Sequence, residues 1–362
     1  MTNLTVFEPT WLSPPGESIA DLLEEKGWTQ GELAIRTGFT RKHINELIAG
    51  KAALSPDAAL KLEAVLGGTA RFWLSREARY REALSRQQAH ASLAGAGEWL
   101  KQFPLADLRR FGWISGQGGT ASTAAELLRF FGVAGIDAWN TRYLKPLCAF
   151  RASNVAERRN GAIAAWLREG ERRAERLQLQ AFDTGAFRAQ LVVLRELTRE
   201  PDPAVFVPKM QEISARVGVA VVFVPTPKGC PVSGATRGLG TDRAVLQLSL
   251  RYKTNDQLWF TFFHEAGHLV LHGKKLILEG ADGMDAVHEE EANAFARDLL
   301  IPKPLAERLP NVARTGAAIE QFAANIGVAP GIVVGRMQRE GLLPFSHLNG
   351  LKVRYAWQEP GT

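Results

Sequence analysis

Residues 259–272 have the sequence WFTFFHEAGHLVLH, an apolar run that contains three histidines and one glutamate. Residues four positions apart share one face of a helix, so His264 and His268 can present two imidazole nitrogens to one metal ion. Glu265 follows the first histidine at the rim of that face, a position that suits a general base better than a ligand. The pattern therefore predicts a buried, metal-binding helix.

A catalytic zinc ion needs three protein ligands and one open position. The acidic candidates lie in residues 288–302, HEEEANAFARDLLIP, where apolar positions recur at helical spacing and the helix is expected to end before the proline. Glu291 is the acidic residue nearest to the apolar face and is the predicted third ligand. Glu290 is the alternative, and Glu289 ranks below both. The expected cofactor is Zn²⁺, and Mn²⁺ or iron could replace it in such a set of nitrogen and oxygen ligands.

Other polar residues near the motif receive weaker assignments. His272 lies four residues after His268 and is expected to orient or pack against it rather than bind the ion. A peptidase also needs a group that stabilises the oxyanion. Arg251, Tyr252 and His288 are candidates that the sequence does not rank.

These motifs resemble the ImmA/IrrE family of zinc-dependent metallo-endopeptidases. The resemblance rests on His-Glu-x-x-His at 264–268 and on EANxFAxxLLxP at 291–302, and it extends over about residues 205–345. It implies a zincin-like fold, a zinc ion held by His264, His268 and Glu291, and Glu265 as the catalytic base. It also implies a protein substrate, often a helix-turn-helix repressor.

The first 90 residues predict a different unit, built from short helices. A helix beginning after Thr29, with Glu32 completing a capping box, is followed by a tight turn at Gly38 and a third helix from Thr40. Helix, short glycine-containing turn and helix form the helix-turn-helix signature. The exposed start of the third helix carries residues that could contact DNA bases in the major groove: Thr40, Arg41, Lys42, His43 and Asn45.

This segment, about residues 13–80, resembles HigA-like helix-turn-helix domains of antitoxins and phage-type repressors. The resemblance implies binding to operator DNA, commonly as a homodimer on an inverted repeat. Residues 1–70 nevertheless contain more acidic than basic side chains, which disfavours phosphate contact. A module retained for protein contact is therefore the alternative.

The remaining chain predicts supporting structure. Residues 219–224, 233–236 and 244–249 predict strands, and 233–236 is the candidate edge strand for a peptide substrate. Residues 91–205 predict a helical spacer or sensory region, in which the mixed charges of a helix over 162–179 indicate a solvated face. The sequence near the C-terminus predicts a second helix-turn-helix-like unit, which either packs against the peptidase core or contacts DNA.

The sequence thus predicts a multidomain α+β protein with four segments. They are a helix-turn-helix head at 1–90, a helical region at 91–205, a zincin-like core at 206–310 and a helical segment at 311–362. A net charge of +6, two cysteines, a polar N-terminus and the absence of a long apolar run predict a cytoplasmic protein without membrane contact. The expected function is a DNA-binding regulator that hydrolyses a repressor, an antitoxin or itself. The alternative is an antitoxin-like transcription factor whose metal domain is structural or ligand-sensing.

Overall fold

The computed structural model describes residues 13–149, 157–273, 276–278 and 286–357. The chain divides into two compact units, Met1–Gly95 and Ala96–Thr362. The predicted boundaries near residues 205 and 310 lie inside the second unit and remain predictions. Residues 1–12, which belong to the polar N-terminus used in the prediction of a cytoplasmic protein, lie outside the described part of the chain.

The first unit is helical. Thr29 and Thr40 act as N-caps, since their hydroxyl oxygens accept from the backbone N–H groups of Glu32 at 3.2 Å and His43 at 3.1 Å. Gly38 ends the second helix with φ of 70°, the left-handed conformation that favours glycine. Both predicted helix starts are confirmed, although the Glu32 carboxylate accepts from Arg36 Nε at 2.7 Å. The helices are α1 (Pro15–Lys26), α2 (Gln30–Thr37), α3 (Arg41–Ile48), α4 (Pro56–Leu66) and α5 (Ala70–Ser92).

One small hydrophobic core stabilises this unit. Trp73 on α5 is fully buried, and its indole N–H donates to the Gly67 carbonyl at 3.0 Å. Burying a side chain of that size removes a large apolar area from water, which is the main favourable term for a small domain. The core also contains Ile19, Leu23, Leu33, Ile44, Leu47, Leu54 and Leu62.

The second unit contains the remaining helices and one sheet. The strands are β1 (Val219–Phe223), β2 (Gly234–Leu239), β3 (Arg243–Leu248) and β4 (Ile277–Leu278). The helices are α6 (Gly97–Leu100), α7 (Leu105–Arg110), α8 (Thr120–Phe131), α9 (Ile136–Trp139), α10 (Lys145–Ala149), α11 (Glu157–Ala174), α12 (Thr184–Glu196), α13 (Pro203–Ala215), α14 (Asn255–Leu271), α15 (Ala286–Leu300), α16 (Lys303–Ala306), α17 (Gly316–Ile326) and α18 (Pro330–Arg339).

The sheet has the strand order β1-β3-β2-β4, with β1 parallel to β3 and the other pairs antiparallel. The three predicted strands are confirmed, whereas β4 was not predicted because two residues carry no periodic signal. The prediction that 233–236 is an edge strand is wrong in part, since Ala235 and Thr236 pair with β4. Ala235 and Thr236 are thus paired with a neighbouring strand on both sides.

Helix α11 corrects in part the prediction that its charged face is solvated, since Glu169 on that face is only 8% exposed. Its residues 160–167 are buried against the sheet. The Trp166 indole donates to the Val224 carbonyl at 3.0 Å, and Gln247 of β3 donates to the Trp166 carbonyl at 2.7 Å. The charges are held in local pairs, as in Arg173 with Glu169 at 2.9 Å. Because pairing lets charged residues lie close to a packed surface, mixed charge alone does not indicate solvent exposure.

The C-terminal helices α17 and α18 pack onto the start of α14. A Cβ atom built on Gly331 would lie 2.5 Å from Asn255 Oδ1, and one on Gly335 would lie 2.5 Å from Asp256 Oδ2. Only glycine permits this approach, which favours packing over DNA contact for α18. Among the described residues no single helix is long and apolar enough to cross a membrane, and α17 with α18 passes that test only as a pair bent by 108°.

Candidate metal centre

Helix α14 lies at the centre of the second unit and is buried along most of its length. Trp259, Phe262 and Phe263 are fully buried in the main hydrophobic core. The three motif residues are buried as well, with exposed fractions of 1% for His264, 0% for Glu265 and 0% for His268. Burying polar side chains is costly unless they have partners. The surrounding elements must therefore supply groups that interact with the motif.

The two histidines converge with a glutamate of α15. His264 Nε2 and His268 Nε2 lie 3.0 Å apart, and the Glu289 carboxylate oxygens lie 3.4 Å and 3.3 Å from them. In a tetrahedral site with bonds of about 2.0–2.1 Å, two ligand atoms are about 3.3–3.4 Å apart. Both carboxylate distances match this value, and the two nitrogens are slightly closer. The residues present fit a zinc ion held by two imidazoles and one carboxylate.

Glu291, the predicted third ligand, does not lie at this centre. Its Oε2 is 2.9 Å from His272 Nε2, and its side chain is 53% exposed. Glu290, the alternative, pairs with Arg297 at 2.5 Å. A step of two residues along an α-helix turns the side chain by about 200° around the helix axis. Glu289 and Glu291 therefore point to different sides of α15. Ranking the glutamates by distance from the apolar stripe selected the wrong face.

Asn293, to which the sequence analysis assigned no role, contacts one of the two histidines. Its Oδ1 lies 3.1 Å from His264 Nδ1. An amide oxygen can only accept, so Nδ1 of His264 carries the proton and Nε2 presents its lone pair to the centre. Asn293 follows Glu289 by four residues and therefore shares its helix face. The spacing Glu-x-x-x-Asn was the signal that could have identified both residues.

Electrostatics favour the metal-binding protonation states. Burial raises the pKa of Glu289, but hydrogen bonds and charge interactions with His264 and His268 outweigh it and lower that pKa to about 2. Burial lowers the pKa of His268, and this effect exceeds the opposing interaction with Glu289. At neutral pH the carboxylate is thus ionised and the imidazole neutral, as metal ligation requires.

Glu265 lies against the first residue of β2. A Cβ atom built on Gly234 would be 2.6 Å from both Glu265 Cγ and Glu265 Oε1, and 2.8 Å from Thr261 Cγ2. The absence of a side chain at Gly234 is what lets the strand approach the carboxylate. Glu265 is thereby fixed beside the two histidines without taking part in the group of three converging ligand atoms.

The other polar candidates occupy separate positions. His272 Nδ1 lies 3.0 Å from His268 Nδ1, which agrees with its predicted contact. Arg251 donates to the Pro231 carbonyl, and Tyr252 is 53% exposed. The centre of the His288 ring lies 4.3 Å from that of His272, with the two ring planes tilted by 39°. None of these three residues is among the ligand atoms around Glu289.

In the first unit, the predicted DNA-contact residues surround the start of α3. Arg41, Lys42 and Asn45 are exposed, together with Thr40. The Thr40 hydroxyl caps the helix, however, and the half-buried His43 ring contacts Phe39 edge-on at 4.8 Å. Arg41, Lys42 and Asn45 are therefore the residues of the predicted set best placed for an external partner.

Comparison with protein families agrees with both units. Residues 216–338 match a peptidase family described as the IrrE N-terminal-like domain, and residues 19–73 match a helix-turn-helix family. The chain fuses these two domains. The resemblance inferred from the His-Glu-x-x-His motif and from the N-terminal helices is confirmed, and the second unit carries a domain of a metallopeptidase family.

A curated relative is similar over the N-terminal part alone. It is YddM of Escherichia coli (strain K12), described as an uncharacterized HTH-type transcriptional regulator, with 34% identity over 61 residues. The match covers 17% of this chain and 65% of the relative. It supports a helix-turn-helix transcription regulator domain and says nothing about the second unit.

Replacing Asn293 by alanine tests how His264 is oriented. The substitution removes the oxygen that accepts from His264 Nδ1, so we expect zinc affinity to fall about 10- to 100-fold while the fold is retained. Zinc binding is measured by competition with a chromophoric chelator, and folding by circular dichroism. Asn325→Ala, on the exposed side of α17, is the control. Equal zinc affinity in the Asn293 variant and in wild type would contradict the assigned role.

Proposed function

We propose that this protein is a cytoplasmic DNA-binding regulator whose second unit is a zinc-dependent endopeptidase. The observation that carries the proposal is the convergence of His264, His268 and Glu289 within 4.8 Å of one another, with Glu265 beside them. Two imidazoles and a carboxylate leave the open position that a catalytic zinc site requires. A structural zinc site would have four protein ligands.

The chemistry follows from the donors. When bound, a zinc ion would acidify a water molecule and polarise the scissile carbonyl. Glu265 accepts the proton of the attacking water at its carboxylate and passes it to the nitrogen of the leaving amine. Asn293 holds the ring of His264 in one tautomer through Oδ1. Glu289 is 28% exposed, which supports entry of a substrate from the side of α15.

The cavity beside the start of β2 is too small for a substrate. It is lined by Ser233, Ser249, Tyr252 and Thr261 and has a volume of about 10 Å³, which is room for one water molecule. Ala235 and Thr236 of β2 pair with β4, so no peptide can add beside them as a further strand. We therefore propose that the scissile peptide reaches the centre from the side of α15, where Glu289 is partly exposed.

The substrate we propose is a repressor-type or antitoxin-type protein, or the helix-turn-helix unit of the same chain. Having both domains in one chain supports this choice, since cleavage of the DNA-binding unit would release repression directly. The exposed start of α3, with Arg41, Lys42 and Asn45, is proposed to bind operator DNA. We propose a homodimer, because helix-turn-helix dimers read the two half-sites of an inverted repeat.

Replacing Glu265 by glutamine tests the assignment of the base. The amide has nearly the same size but cannot accept the proton, so we expect the cleavage rate to fall about 10²- to 10⁴-fold with zinc content unchanged. Purified protein is incubated with zinc and with candidate repressors, and fragments of substrate and enzyme are identified by mass spectrometry. Glu290→Gln, an exposed glutamate of α15, is the control. Cleavage at the wild-type rate by the Glu265 variant would exclude this mechanism.

Replacing Gly234 by alanine tests the position of Glu265. The added methyl group would overlap Glu265 Cγ and Oε1, so the carboxylate must move. A shift of about 1 Å can reduce a rate about 10²-fold, and we expect that loss without loss of zinc. Gly316→Ala, where a Cβ meets no atom within 4 Å, is the control. Undiminished cleavage in the Gly234 variant would show that this contact does not position the base.

DNA binding is tested by single replacement of Arg41 or Lys42 with alanine. If each side chain contacts one phosphate, we expect weaker binding and a salt-dependence slope lower by about 1 per substitution. Fluorescence anisotropy with DNA from the protein's own promoter, measured at several salt concentrations, gives both values. Arg86→Ala on α5 is the control, because Arg86 is paired with Glu82 at 2.6 Å. A slope that stays at the wild-type value in both variants would remove these residues from the DNA interface.

A further inference from the structure

A second group of metal-binding side chains lies next to the candidate centre. It consists of His272, His288 and Glu291, whose ligand atoms all lie within 4.8 Å of one another. His272 Nε2 is 2.9 Å from Glu291 Oε2, and the rings of His272 and His288 are 4.3 Å apart. We propose that these three residues form a second site for a divalent cation of the zinc class, separate from the catalytic centre.

Local structure explains why the three residues meet. His272 is the C-cap of α14, and its N–H donates to the His268 carbonyl at 2.8 Å. His288 and Glu291 are three residues apart on α15 and therefore share one face of its first turns. On the helix, Glu291 lies about 200° and His288 about 100° from Glu289, the ligand of the first centre. One pair of helices thus presents two ligand sets on two of its faces.

The donor set favours a particular class of ion. Two imidazole nitrogens and one carboxylate oxygen suit zinc and similar transition metals, whereas calcium and magnesium prefer oxygen ligands alone. The His288 ring lies 4.3 Å from the ring of His272, and its ligand atom is within reach of the other two. Because His288 and Glu291 are exposed, an ion at this site can exchange with the solvent.

The two sites are coupled through one contact, between His268 Nδ1 and His272 Nδ1 at 3.0 Å. A neutral imidazole that binds a metal through Nε2 carries its proton on Nδ1. With the first centre loaded alone, the proton on His268 Nδ1 is donated to His272 Nδ1, and His272 Nε2–H is donated to Glu291. An ion on His272 Nε2 would move that proton to Nδ1, so that two N–H groups face each other.

Binding at one site therefore weakens binding at the other, and by the same factor in both directions. This coupling rests on the proposed zinc centre, whereas the second site itself does not. As the second site fills, it would lower the affinity of the catalytic centre, so that the catalytic centre loads over a wider range of ion concentrations. Such a device would link proteolysis to the supply of the metal on which it depends.

The test is a zinc titration of tag-free, full-length apoprotein, with zinc counted by elemental analysis and affinities measured by calorimetry. We expect wild type to bind two zinc ions, and His288→Gln and Glu291→Gln each to bind one. The double variant His264→Gln/Glu289→Gln should also bind one ion. Its zinc affinity should be about tenfold higher than the affinity of wild type for its second zinc ion, because His268 Nδ1 no longer has to present an N–H group to His272. Glu290→Gln, an exposed residue outside both sets, should bind two.

The outcomes separate this proposal from that of the catalytic centre. One zinc ion in wild type that is lost in the His264/Glu289 double variant and kept in His288→Gln would overturn the second site and leave the catalytic centre intact. One zinc ion in wild type that is lost in His288→Gln and kept in the His264/Glu289 double variant would support the second site and refute the catalytic centre. Two ions in His288→Gln would overturn the second site. Equal affinities in the double variant and in the second step of wild type would overturn the coupling.

Discussion

The packing of α15 against α14 is the contact on which the rest of the second unit depends. Helix α14 buries two histidines and a glutamate among aromatic residues, and an unpartnered polar group there would destabilise the fold by several kcal/mol. Helix α15 supplies Glu289 and Asn293 from one face. The approach is close at Gly267, where a Cβ would lie 3.1 Å from the Phe295 ring. The convergence of these side chains therefore depends on the packing of the two helices.

The other elements of the unit hold this helix pair in place. Beta strand β2 fixes Glu265 through Gly234, and α18 reaches the start of α14 through Gly331 and Gly335. The buried Lys352–Asp256 pair at 2.7 Å joins the C-terminal segment to the same helix end. Residues far from the motif in sequence thus contact the helix that carries it, and the C-terminal segment has this structural role.

The packing of α14 against α15 also determines which side chains meet at the surface of the two helices. An α-helix that presents Glu289 inward must present Glu291 about 200° away, where His272 and His288 are the nearest ligand types. The contact between the imidazoles of His268 and His272 then connects the buried ligand group that contains Glu289 to the exposed ligand group that contains Glu291. Because a hydrogen bond between imidazoles transmits proton position, this contact would couple the two proposed ions.

The amino-acid sequence by itself determined the two domain families, the three main strands, the helix caps at Thr29 and Thr40, and the roles open to His264, Glu265 and His268. These features depend on local spacing, which a linear pattern records. The tertiary structure decided which glutamate meets the histidines, that α11 is buried, and that β2 is paired on both sides. Each of these depends on how one element is rotated or placed against another. Helical periodicity gives the apolar side of α15 but not the angle at which α14 packs on it, and that angle selects Glu289 over Glu291.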